Sequence, residues 1–180
     1  MPHEPAVHPL LAERWSPAAF DPEHEVSGHQ IESLLQAARW APSAGNSQPW
    51  SFLACRRGDA VHADVVGTLA PSSARWAPDA GLLVVNLCHR WVDGTEWDYS
   101  EFADYDLGQA VAHMTIQGVA LGLASRQFRA FDLDALTGVL DVPPHWVIRT
   151  MTAFGRAATG PTASTAQRTR EDVRWGSPDR

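Results

Sequence analysis

The chain has 180 residues and a mass of 19.7 kDa, with 44% hydrophobic and 19% charged residues, proportions that fit one soluble globular domain with enough chain to bury a core. Its formal charge is −7 and its pI about 5.5, which argues against a nucleic-acid or anionic-membrane partner. All 14 basic residues are arginine, so lysine nucleophiles and Schiff bases are excluded, and any side-chain cation on a phosphate must be a guanidinium, whose planar fork suits phosphate oxygens.

Residues 1–9, with Pro2, Pro5 and Pro9, read as a loose lead-in. They hold no apolar signal core, and no stretch approaches membrane-spanning length, so the expected setting is the cytoplasm. Ser27-Gly-His-Gln30 has the capping-box form and opens a helix whose Ile31, Leu34, Leu35 and Ala38 share one face. Pro42 ends it. A strand is expected from Trp50 to Cys55, then a short helix capped by Asp59 and bearing Val61, Val65, Val66 and Leu69.

Leu82–Cys88 is a continuous apolar run, expected as a central strand covered on both faces. Trp91–Asp104 is an aromatic and acidic connection. A long helix from Asp106 to about Leu123 is apolar nearly all round, so burial on every side is expected, with a second subunit supplying one face and Gly118 and Gly122 admitting another helix. Asp132–Leu140 reads as a short helix and Trp146–Gly155 as an alternating strand. Residues 157–167 have no core-forming composition, yet Arg168, Arg170, Val173 and Trp175 follow, as if the 157–180 extension reached across to something.

Between the first long helix and the first strand lies Ala41-Pro-Ser-Ala-Gly-Asn-Ser-Gln-Pro-Trp50. Pro42, Gly45 and Pro49 deny it regular structure, while Ser43, Asn46, Ser47 and Gln48 supply groups that donate and accept without formal charge. Such a loop suits the edge of a heterocycle rich in carbonyls and ring nitrogens. Upstream is Arg14-Trp-Ser-Pro-Ala-Ala-Phe20, downstream Arg126-Gln-Phe-Arg-Ala-Phe-Asp132 and Arg168-Thr-Arg170. In this order and spacing, from about Leu10 to Trp175, the chain resembles the flavin (FMN)-dependent nitroreductase family.

The resemblance implies an α+β fold, a central, mostly antiparallel sheet wrapped by helices and built as an intertwined homodimer. It also assigns roles. Arg14 and Ser16 hold the flavin phosphate and ribityl chain; Pro42, Ser43 and Asn46, with Gln48 as a looser candidate, line the ring from the partner subunit. Ser73 falls nearest a position that offers an asparagine to the flavin. Phe128 packs against the ring, Arg129 and Ala130 form the link whose backbone N–H faces flavin N5, and Arg168 and Arg170 close on the phosphate. The chain departs from the family at three of these places: Ala18 stands where a basic residue is usual, Ser73 for asparagine, and Ala130 for glycine, where the donor survives only at negative φ.

The activity implied is hydride transfer from NADH or NADPH, through FMN, to an electron-poor small molecule such as a nitroaromatic or quinone. No side-chain acid or base is demanded. The alternatives are a flavin-dependent dehydrogenase or oxidase of a small metabolite, and a non-catalytic member with weak or no flavin binding. There is no HExxH, GxSxG, P-loop or Rossmann fingerprint, and no metal site is expected. Cys55 and Cys88 read as buried thiols rather than a disulfide or metal pair, His113 as a hydrogen-bonded core group, and the acidic series Asp93, Glu96, Asp98, Glu101, Asp104, Asp106 as a solvated loop.

Overall fold

The computed structural model describes residues 7–160. Four strands, β1 (Trp50–Arg56), β2 (Leu82–His89), β3 (Ala124–Phe128) and β4 (Trp146–Gly155), form one antiparallel sheet in the order β1-β2-β4-β3. On one face lie α2 (Gly28–Arg39) and α4 (Ala103–Ala120), packed over Leu82, Val84 and Phe154. On the other face lie α3 (Ala60–Gly67) and α5 (Leu133–Val139), with Phe20, Leu83, Val85, Ile148 and Met151 in the core between. A single turn, α1 (Pro9–Ala12), precedes them. No helix among the described residues is long and apolar enough to cross a membrane.

The local signals account for most of these elements. Ser27 Oγ accepts from Gln30 N at 3.2 Å, and Gln30 Oε1 accepts from Ser27 N at 2.9 Å, the reciprocal cap anticipated for α2 and worth about 1 kcal/mol. Asp132 likewise caps α5 by accepting from Ala135 N at 3.0 Å. Asp59 occupies the N-cap of α3 without a side-chain capping bond, and Leu69 lies beyond that helix, bridged to Phe131.

Four expectations need correction. The long helix starts at Ala103, not Asp106, and is not covered all round within one chain: Tyr105, Gly108, Ala112 and His113 are exposed. His113 is therefore a surface residue, not a core group. Gly118 admits a strand as well as a helix: a Cβ there would sit 3.0 Å from the Phe154 ring of β4 and 3.7 Å from Leu34 of α2. Gly122, at φ +73°, closes the helix: its N–H donates to Val119 O and that of Leu123 to Gly118 O, the two bonds of a Schellman turn.

The fourth concerns β4, which does not alternate: Met151 through Gly155 are all buried, since the strand is internal and helices cover both faces. Asn86 of β2 is fully buried there and donates to the Thr150 and Thr152 hydroxyls, each at 2.9 Å. The thiols behave as anticipated. Cys55 and Cys88 are buried free thiols that donate to the Leu53 and His89 carbonyls, and burial raises them to about 12 and about 11, leaving both protonated and unreactive.

Candidate functional site

The predicted ring-facing loop is rigid. After α2, Ala41 is buried as an anchor, and a 3-10 turn spans Ala44–Asn46. Gly45, Asn46 and Gln48 all have left-handed backbones, at φ +57°, +57° and +48°. A left-handed glutamine is uncommon, and each such non-glycine residue costs on the order of 1 kcal/mol. Four contacts hold the shape: Gln48 N donates to Ser43 Oγ at 3.0 Å, Gln48 Nε2 to Asn46 Oδ1 at 3.2 Å, Ala44 N to Asp106 Oδ2 at 3.0 Å, and the Tyr99 hydroxyl to Ser47 O at 3.1 Å. Pro42, Asn46 and Gln48 remain exposed. The Ser47 hydroxyl is shut off from solvent and has no partner among the described residues.

Asp106 corrects the acidic-loop expectation. Asp93, Glu96, Asp98, Glu101 and Asp104 are exposed, but Asp106 is 2% exposed. Its carboxylate lies in the first turn of α4, where the helix dipole favours negative charge, and braces the loop through the Ala44 N–H. The sequence offered only weak signs of it: the acid opens an apolar helix, whereas its neighbours sit in the loop.

The second group of predicted residues gathers at β3. The Arg14–Ala18 segment is pinned by Arg126, whose Nη1 donates to Pro17 O at 3.2 Å and Ala18 O at 3.3 Å. The same guanidinium lies 4.0 Å above the Trp76 ring, and Trp76 meets Phe128 edge-on at 4.9 Å. Arg14 is half-buried and Ser16 exposed beside this cluster. No carboxylate pairs with Arg126 among the described residues, and burial lowers its pKa from the ordinary arginine value without removing the charge. Arg126 was visible in the sequence as the first residue of the β3 motif, but nothing there placed it beneath Ala18.

Ser73 does not project into open space. It is 1% exposed, and its hydroxyl donates to the carbonyl of Ala130, which also accepts from Ala70 N at 3.1 Å. Ser73 therefore shapes the Arg129–Ala130 link from behind, because a side chain two atoms long is consumed by the nearest backbone acceptor. Ala130 is not among the positive-φ residues, and its N–H forms no bond among the described residues. The substitution for glycine thus leaves the donor in place. Phe128 is half-buried, and Arg129 is exposed with its guanidinium 4.3 Å over Phe131. Arg168 and Arg170 lie outside the described residues. An open concavity beside Glu13, Trp15, Gly122 and Arg156 contains none of the predicted site residues.

The two groups are not brought together within one chain. Phe128, Met151, Val85 and Leu53 form one row across the sheet, so β3 and β1 are three strand spacings apart, about 14 Å. Trp50, where the loop enters β1, lies three residues along from Leu53, roughly 10 Å further, for a separation of about 17 Å. The side chains also face apart: Ala41 packs in the α2/α4 layer, Phe128 in the α3/α5 layer.

A family model described as the nitroreductase family matches residues 11–81. An oxygen-insensitive NADPH nitroreductase of Helicobacter pylori is 43% identical over 44 residues, 24% of this chain and 21% of the relative; the matched stretch thus spans about a fifth of that protein's length. A crystal structure described as an oxidoreductase containing FMN superposes with a TM-score of 0.79 at 28% identity, covering 87% of this chain and 79% of the other. A Desulfovibrio desulfuricans protein, provisionally assigned as a nitroreductase and solved in complex with FMN, superposes at 0.75 with 22% identity, covering 93% and 94%. The family segment contains both Arg14–Ala18 and the Ala41–Trp50 loop, and the sheet and its helical layers match across the described chain. By segment and by fold together, the chain is similar to the nitroreductase family.

Proposed function

We propose that this chain is an FMN-dependent oxidoreductase working as a homodimer, which takes hydride from NADH or NADPH and reduces an electron-poor small molecule such as a nitroaromatic or quinone. The observation that carries the reading is the pair of preorganised donor sets at opposite edges of the sheet, an uncharged loop at β1 and an arginine-bearing group at β3. Each is too far from the other to serve one ring alone, and each is complementary to a second copy's missing half. Trp40 at the end of α2 and Tyr105 on α4 are 83% and 70% exposed, which supports a partner against that layer.

The residues fit the cofactor in three respects. The Ala130 N–H and the Ser47 hydroxyl are uncommitted among the described residues, and both are neutral groups suited to a flavin edge. The half-buried Arg126, without a carboxylate partner among the described residues, brings a positive charge to the backbone of Ala18, where a family cation is missing, which weighs against the non-catalytic reading. Arg14 and Ser16 would hold the phosphate and ribityl chain, with Phe128 beside the ring; Pro42, Ser43, Asn46 and Gln48 would reach it from the other copy. When bound, the flavin supplies the hydride acceptor and donor. The chain's own contribution is to bind, to orient and to keep a backbone donor at the Arg129–Ala130 link. None of these residues is an acid or base apart from the arginines, so a proton taken up by the product comes from water.

Titration of the purified chain with FMN, followed by flavin fluorescence, tests this. Quenching to one FMN per chain is expected, with bleaching of the bound flavin's visible absorbance under anaerobic NADH or NADPH. Absence of both quenching and thermal stabilisation at saturating FMN contradicts the proposal.

A further inference from the structure

Away from both half-sites, three residues converge at one end of the inner strands. His89 closes β2, Asp93 lies four residues on, and His145 immediately precedes β4. The sheet register pairs His89 with Trp146, which brings the two histidines side by side. Asp93 is carried over them by a tight loop, fixed by the Trp91–Asp98 bridge and the 2.8 Å bond from Val92 N to Trp97 O. The Nε2 atoms of His89 and His145 lie 3.2 and 3.3 Å from the same Oδ1 of Asp93, and all three atoms fall within 4.8 Å of one another.

We propose that His89, Asp93 and His145 form a binding site for a divalent first-row transition ion, with zinc as its representative. Donor atoms about 2.0–2.1 Å from a tetrahedral zinc stand about 3.3 Å apart, the separation seen on both His–Asp edges. The third edge, between the two imidazoles, is no longer than 4.8 Å and closes by a rotation of the His145 ring. The His89–Asp93 contact is within hydrogen-bond reach, so the carboxylate holds the ligand set together before an ion enters.

The His89 ring is also fixed in advance. Tyr99 stacks on one side at 3.9 Å and 21°, Trp146 at 4.7 Å and 14°, so binding costs little side-chain entropy. Two imidazoles and one carboxylate, without thiolate, select zinc, cobalt or nickel over calcium or magnesium. Three ligands leave a coordination position open, and His145 also lines the concavity beside Thr95, Glu96 and Trp97. The ion would tie both inner strands to the loop bearing Tyr99, whose hydroxyl holds Ser47. This site depends on no flavin.

Calorimetric titration of the untagged, chelator-treated full chain with zinc decides the matter. One equivalent is expected to bind, with affinity weakened about tenfold or more in Asp93→Asn and in His145→Gln. Zinc should raise the thermal midpoint of the parent chain but not of either variant. Parent-like affinity in both variants places any bound zinc elsewhere and overturns the site, as does the absence of binding at about 100 µM zinc. Melting curves recorded without metal confirm that the variants fold.

Discussion

The two proposed half-sites hold their shape by opposite means. The Ser43–Gln48 loop stores its shape in the backbone, with three left-handed residues in a span of four, braced from outside by Asp106 and Tyr99. The β3 side has ordinary backbone and relies on side chains: Arg126 pins Pro17 and Ala18, and Ser73 props the Ala130 carbonyl. A loop of the first kind tolerates changes to its exposed side chains and fails when a brace is lost. A surface of the second kind degrades residue by residue. Ala18 illustrates the second kind, since the Arg126 guanidinium donates to the carbonyl of the residue standing where a cation is usual.

Asp106→Ala should have the largest effect. It leaves the Ala44 N–H without its acceptor and removes a charge-assisted bond, costing about 2–3 kcal/mol in denaturant unfolding and abolishing high-affinity flavin binding. Asp106→Asn keeps an acceptor and should lose about half as much. Equal stability of parent and Asp106→Ala chains would mean that the loop holds itself.

Arg126→Gln comes next. Losing two carbonyl contacts and the stack on Trp76 should cost about 2 kcal/mol, with weaker binding of FMN than of riboflavin if the guanidinium serves the phosphate. An equal loss for both flavins would limit Arg126 to positioning Pro17 and Ala18. Ser73→Ala should cost about 1 kcal/mol, because Ala130 O keeps its bond from Ala70 N; a change of flavin affinity beyond tenfold would show that Ser73 does more than prop the link. Smallest is Gln48→Gly. Relief of the left-handed backbone should raise stability by about 0.5 kcal/mol, and a loss instead would mean that the Gln48–Asn46 contact outweighs the strain.

How far these features were legible follows the range of the forces involved. Capping at Ser27, the run Leu82–Cys88 and the proline-bounded loop are local patterns, and the fold obeys them. The loop's polar residues could be singled out because their chemistry and spacing lie within one contiguous segment. Asp106, Tyr99 and Arg126 could not, since each acts across a long sequence separation: Asp106 on Ala44, Tyr99 on Ser47, Arg126 on Ala18. Which face of the long helix its own chain covers was not legible for a related reason. Hydrophobicity alone does not distinguish a face covered by its own chain from one left for a partner, and Tyr105 and Ala112 are exposed here.

The central claim, that a complete flavin site takes one half from each of two chains, is tested most directly by complementation. One variant carries Arg14→Ala with Ser16→Ala, the other Asp106→Ala, and each alone should bind no FMN with high affinity. Unfolded and refolded together in equal amounts, they form mixed dimers in which one site has both halves intact. About a quarter of all sites should then recover FMN binding, by random pairing in a two-fold assembly. Recovery near that level is the predicted result. No recovery, from variants shown to be folded and to form mixed dimers, would contradict a site shared between two chains.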